Sequence, residues 1–216
     1  MGSDTGLTGS VPCDRLSAVI WRRTVLSGVA IAVAVVVIVL LDARRTSAPR
    51  GQIDSASIVM LGDSITEQAD WHSLLPDLQA VNQGHSGFTT EQLVPIARSV
   101  GAARPRAVLV LTGTNDIRDG RSPEWTASQL DQLLDALEQG SPDTTVIVQT
   151  VLPRSDHPAE VIATNAAISA VAAGRGLETL DLHEPFDDGA GGLRPDETTD
   201  GIHLSESGYR RWAALL

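Results

Sequence analysis

From residue 57 onward, short apolar runs alternate with longer stretches spaced for helices, and this alternation limits the possible folds more than any other feature. The runs at 58–61, 78–82, 107–111, 145–150 and 178–181 read as strands. Between them, helices are predicted near 67–75, 89–100, 123–139 and 158–174, with a last one from 205 onward. The stretch 123–139 carries the period most clearly: Leu130, Leu133, Leu134 and Leu137 share one helical face, and Gly140-Ser141-Pro142 stops it. Strands separated by helices must run parallel, because each crossover returns the chain to the same edge of the sheet. The prediction is an α/β fold, a three-layer α/β/α sandwich around a five-stranded parallel sheet. A chain of 216 residues holds one such domain plus an extension.

In a parallel sheet the carboxyl ends of all strands lie on one edge, and four short polar blocks fall there. Gly62-Asp63-Ser64 follows the first run, and Asn82-Gln83-Gly84-His85-Ser86-Gly87 the second. Gly113-Thr114-Asn115-Asp116 follows the third, and Asp200-Gly201-Ile202-His203 comes after the fifth. An Asp-Ser pair after a strand also describes a plain helix cap, so the first block alone decides nothing. The four together supply what a serine nucleophile needs: a base, an acid to orient the base, and donors for an oxyanion. His203 is a candidate base with Asp200 three residues before it. Asn115 offers an amide donor, and Gly84 and Ser64 offer backbone N–H groups. Asp63 and Asp116 read as acceptors that brace their loops. Trp71, Phe88 and Trp125 are candidates either for an acyl pocket or for the core.

These blocks, GDSIT (62–66), NQGHSG (82–87), GTND (113–116) and DGIH (200–203), resemble in order those of the SGNH hydrolases, also called GDSL esterases. The resemblance covers roughly residues 56–216. It implies a flavodoxin-like fold and an esterase with no cofactor and no metal. It also implies Ser64 as nucleophile, His203 as base and Asp200 as its partner, with Ser64, Gly84 and Asn115 forming the oxyanion hole. The Gly-x-Ser-x-Gly elbow of α/β-hydrolases does not occur around Ser64. Small acyl groups such as acetyl are the favoured substrates, since connections are short and leave little material for a lipid-binding lid. Two alternatives use the same residues: an acyltransferase acting on envelope glycans and a lysophospholipase-type lipid esterase. A mononucleotide-binding module is disfavoured, because no Gly-rich phosphate loop follows the first strand.

Residues 24–41 form 18 consecutive positions without a charge. As a helix they would span roughly 27 Å, near the thickness of a bilayer core. The run exceeds a secretory h-region and ends in Leu-Leu-Asp-Ala-Arg-Arg, a poor cleavage site. It is therefore read as a transmembrane anchor, with a tail at 1–23, a linker at 42–56 and the hydrolase domain at 57–216. Secretion after signal cleavage is the alternative. Arg15, Arg22 and Arg23 precede the run and Arg44, Arg45 and Arg50 follow it, so the charges tie. The orientation adopted puts the catalytic domain outside the cytoplasm.

The formal net charge is −11; residues 1–52 carry six Arg against three Asp, which leaves −14 for the remainder. So acidic a domain is a poor nucleic-acid binder, because phosphate contacts need Lys or Arg. The expected partner is a small-molecule or glycan ester, with the membrane reached through the N-terminal helix. The single cysteine, Cys13, excludes an intrachain disulfide, and the five histidines show no metal-ligand spacing.

Overall fold

All five runs become strands: β1 (Ile58–Gly62), β2 (Ala80–Gly84), β3 (Ala107–Leu111), β4 (Thr145–Gln149) and β5 (Glu178–Leu180). The computed structural model describes residues 51–216. The strands pair in parallel in the order β2-β1-β3-β4-β5, which is the flavodoxin-like doubly wound order. β1 lies between β2 and β3 and is buried along its whole length. An Ile-Val-Met-Leu run with no polar alternation is what a strand covered on both faces requires.

Eight helices are present among the described residues: α1 (Ser64–Glu67), α2 (Trp71–Leu74), α3 (Thr90–Ala102), α4 (Thr114–Arg118), α5 (Pro123–Gly140), α6 (Pro158–Gly174), α7 (His183–Phe186) and α8 (Glu206–Leu215). One face of the sheet, through Val59, Leu61, Val108, Val110 and Val148, packs on α3, α5 and α6. The predicted leucine stripe of α5 points into this layer, with Leu130, Leu133, Leu134 and Leu137 all buried. The other face, through Ile58, Met60, Leu109 and Leu111, packs on α1, α2, α7 and α8. Trp71 of α2 and Trp212 of α8 meet edge to face at 4.7 Å and close that layer. Trp71 is thus a core residue.

Three sequence expectations need correction. The second strand starts at Ala80, not 78: Leu78 still donates to the Leu75 carbonyl in a turn, and pairing begins where Ile58 N–H meets Gln79 O. It runs on to Gly84, so Gln83 and Gly84 also lie in the strand, not in the loop after it. The helix expected over 67–75 is two short helices. Asp63 caps α1 by accepting from Ile65 N–H, and Asp70 caps α2 by accepting from Ser73 N–H. Two caps only seven residues apart restart the chain instead of extending one helix. The short helices α4 and α7 carry too few residues to show a period and were not predicted.

The anchor expected at 24–41 and the tail at 1–23 lie outside the described residues. Among the described residues no helix is long and apolar enough to cross a membrane.

Candidate active site

Ser64 opens α1 directly after β1, with its hydroxyl at the carboxyl edge of the sheet. Its Oγ lies 3.0 Å from His203 Nε2, although the two residues are 139 apart in sequence. On the other side of the ring, His203 Nδ1 is 2.7 Å from Asp200 Oδ2. With Nδ1 donating its proton to the carboxylate, Nε2 is left as the acceptor for the Ser64 hydroxyl.

The loop holding Asp200 and His203 is built by its own hydrogen bonds. Asp200 Oδ1 accepts from Ile202 N–H at 3.0 Å and from His203 N–H at 2.7 Å. The Thr198 hydroxyl and the Thr199 N–H both donate to the His203 carbonyl. At the base of the loop, Ser205 N–H donates to the Glu197 carbonyl, and Arg211 of α8 bonds the buried Glu197 carboxylate. Burial works to raise the Asp200 carboxyl. The donors from His203 and Ile202 outweigh it and hold the group at about 2.

Asn115 sits in α4, after β3, and is buried. Its Nδ2 donates to the Phe88 carbonyl at 2.9 Å, and its Oδ1 accepts from Arg118 Nη1 at 2.6 Å. Its second N–H makes no hydrogen bond among the described residues, so one donor remains. The loop carrying Phe88 is tied to α1 as well, because Glu67 Oε2 accepts from both the N–H and the hydroxyl of Ser86. All four sequence blocks therefore converge. A model of the GDSL-like lipase/acylhydrolase family matches residues 60–211, more than half of the chain. The chain belongs to that family.

Among curated proteins, this acylhydrolase is similar to platelet-activating factor acetylhydrolase IB subunit alpha1 of Bos taurus. The two are 26% identical over 163 residues, covering 70% of this chain and 69% of that protein. Among solved structures, a GDSL-like lipase from Bacteroides thetaiotaomicron superposes with a TM-score of 0.66 at 24% identity, covering 74% of this chain and 85% of that one. A carbohydrate esterase of family 3 from Talaromyces cellulolyticus gives 0.61 at 22%, covering 74% and 93%. At these identities the two structural likenesses speak for the fold alone.

One expected donor of the acylhydrolase is already committed. The Gly84 N–H donates to Asn82 Oδ1 at 2.8 Å, so it is not free to meet an oxyanion. Gly84 has a packing role: a Cβ there would stand 2.2 Å from the Glu67 backbone nitrogen. Asn82 completes the contact, with Nδ2 donating to the Glu67 and Ala69 carbonyls. The same block holds a second glycine. Gly87 is exposed in the turn closed by Phe88 N–H on the His85 carbonyl, and its own N–H has no partner among the described residues.

Asp63 and Asp116 each hold a backbone turn beside the blocks that carry Ser64 and Asn115. Asp116 Oδ2 accepts from both the N–H and the hydroxyl of Thr90 at 3.0 Å, joining α4 to the start of α3. Burial pushes its carboxyl up. Asp63 is fully buried; Oδ1 caps α1, while Oδ2 has no hydrogen-bond partner among the described residues. Burial, opposed by the Ile65 N–H and by His203, pushes Asp63 up to about 7. Tyr209 of α8 donates its hydroxyl to the Ile65 carbonyl at 2.8 Å, fixing α1 from within the same helix layer.

Sequence reasoning missed Arg154, which is buried and grips the start of α4. Its Nη1 donates to the Thr114 carbonyl at 2.8 Å, and its Nε and Nη2 pair with Asp156 at 3.0 and 2.7 Å. No period or spacing marks such a residue; only an arginine inside an otherwise apolar strand exit hints at it. Among the described residues no group of three or more His, Cys, Asp or Glu is arranged to hold a metal ion.

Proposed function

We propose that the protein is a serine esterase that hydrolyses carboxylic esters through an acyl-enzyme on Ser64. The observation that carries this reading is the continuous chain Ser64 Oγ, His203 Nε2, His203 Nδ1, Asp200 Oδ2, with links of 3.0 and 2.7 Å. His203 takes the hydroxyl proton as Ser64 Oγ attacks the ester carbonyl. The negative charge that develops on the carbonyl oxygen meets the free N–H of Asn115 and the backbone N–H of Ser64. With the Gly84 N–H engaged, the Gly87 N–H serves as the third donor. Collapse of the tetrahedral intermediate returns the proton from His203 to the leaving alcohol. A water, deprotonated by the same imidazole, then releases the acid and regenerates Ser64.

Acetyl is the favoured acyl group. The name of the mammalian relatives, platelet-activating factor acetylhydrolase, supports this choice. The apolar run at 24–41 supports membrane anchoring; the orientation adopted keeps the catalytic domain outside the cytoplasm, where small-molecule or glycan esters are its substrates.

The decisive experiment is Ser64→Ala assayed on p-nitrophenyl acetate. Activity should fall by at least about 10³-fold while the far-UV circular dichroism spectrum and melting temperature stay at parental values. Retained hydrolysis in a folded variant would remove Ser64 as nucleophile.

A further inference from the structure

Asn115 can help an oxyanion only if the nitrogen edge of its amide, not the oxygen edge, is turned to the reacting carbonyl. A primary amide is nearly symmetric in shape, so packing alone does not choose between the two. The choice is made by hydrogen-bond partners, and two are present. The Phe88 carbonyl, 2.9 Å from Nδ2, demands a donor on one side. Arg118 Nη1, 2.6 Å from Oδ1, demands an acceptor on the other. Flipping the amide would set oxygen against oxygen at Phe88 and N–H against N–H at Arg118.

Arg118 closes α4 one helical turn after Asn115, and three-residue spacing puts both side chains on one face. Its guanidinium is itself held, with Nε donating to Asp119 Oδ1 at 2.8 Å. The contact to Asn115 is short and charge-assisted. A cation on the amide oxygen draws electron density from the nitrogen across the conjugated group, so the remaining N–H becomes a stronger donor.

We infer that Arg118 is a positioning residue for the oxyanion hole: by gripping Asn115 Oδ1 it fixes which edge of the amide meets the oxyanion and strengthens the N–H that does so. This rests on the reading of Asn115 as an oxyanion donor. Arg118 acts through Asn115 and need not touch the substrate. Its side chain is 49% exposed and its ion pair with Asp119 is solvated, so the fold does not depend on it.

The test is a double-mutant cycle in the full-length chain, using p-nitrophenyl acetate, a neutral ester with no anionic group for an arginine to bind. Removing an oxyanion donor outright costs about 10²–10³ in kcat, and Asn115→Ala should fall in that range. Arg118→Met keeps the donor but releases its orientation and polarisation, so kcat should drop about tenfold with KM within twofold. Arg118→Lys, which can still donate to Oδ1, should recover part of the loss. In the Asn115→Ala background, Arg118→Met should cause no further loss. A parental kcat in Arg118→Met, or a tenfold loss that persists in the Asn115→Ala background, overturns the inference while leaving Asn115 in place. An unchanged kcat in Asn115→Ala removes Asn115 from the hole, and the role of Arg118 with it.

Discussion

Ser64 has two acidic neighbours, and their environments drive them in opposite directions. Asp200 accepts three hydrogen bonds and is held at about 2, so it is ionised across the pH range from 5 to 8. A fall in rate between pH 8 and 5 therefore does not originate in Asp200. Asp63, next to the nucleophile, lies in a dry site with one oxygen unpartnered and is pushed up to about 7. Its ordinary value is 3.8. Between about pH 4 and 7 the folded state thus keeps a proton that the unfolded chain releases. The contribution of Asp63 to stability is fully present below about pH 4, declines as pH rises through that window, and is constant above it. Asp63→Asn keeps the oxygen that caps α1 and is neutral at every pH. Thermal or urea unfolding should show this variant gaining on the parent by roughly 2–3 kcal/mol between pH 5 and pH 7.5. An equal difference at both pH values would contradict the burial account.

At the scale of elements, α3 and α5 pack with a glycine from each at the contact. A Cβ on Gly140 would stand 2.4 Å from the backbone carbon of Gly101, and one on Gly101 would stand 2.8 Å from the Leu137 carbonyl oxygen. Gly140 was readable as a helix stop, but its second role, admitting another helix backbone, depends on a residue 39 positions away. Gly140→Ala should cost about 1–3 kcal/mol by forcing the helices apart. The site lies at the strand ends, so kcat on p-nitrophenyl acetate should stay within twofold; a matching loss of kcat would show that the helix layer tunes the site. Elements were legible in proportion to their length. α5 and α6 span 18 and 17 residues, enough for a hydrophobic period or a Pro start and Gly end to register. The five-residue α4 shows neither, yet it carries Asn115 and Arg118. β2 was displaced by two residues because Asn82 and Gln83 hide a strand that is only half covered.

For the whole molecule, the five-stranded parallel sheet was legible from the alternation of strands and helices, and Ser64, His203 and Asp200 come together because a parallel sheet brings every strand exit to one edge. What could not be read was which N–H groups remain free. Gly84 was the natural choice until Asn82, two residues back in the same strand, was seen to occupy it. Such a loss depends on side-chain direction within a strand, which sequence spacing does not encode. The proposed anchor makes a separate prediction. The full-length protein should sediment with membranes, resist high-salt and alkaline washes, and be released by detergent, while a chain lacking 24–41 should stay in the supernatant. Full-length protein in the supernatant would sink the anchor. The 139-residue gap between Ser64 and His203 has a consequence for biosynthesis. Ser64 leaves the ribosome 139 residues ahead of the imidazole that would arm it, and Gly87 and Asn115 also precede that imidazole. A nascent chain would carry a shaped but unarmed hydroxyl past every ester it meets, and hydrolysis would begin only after the loop holding Asp200 and His203 has docked.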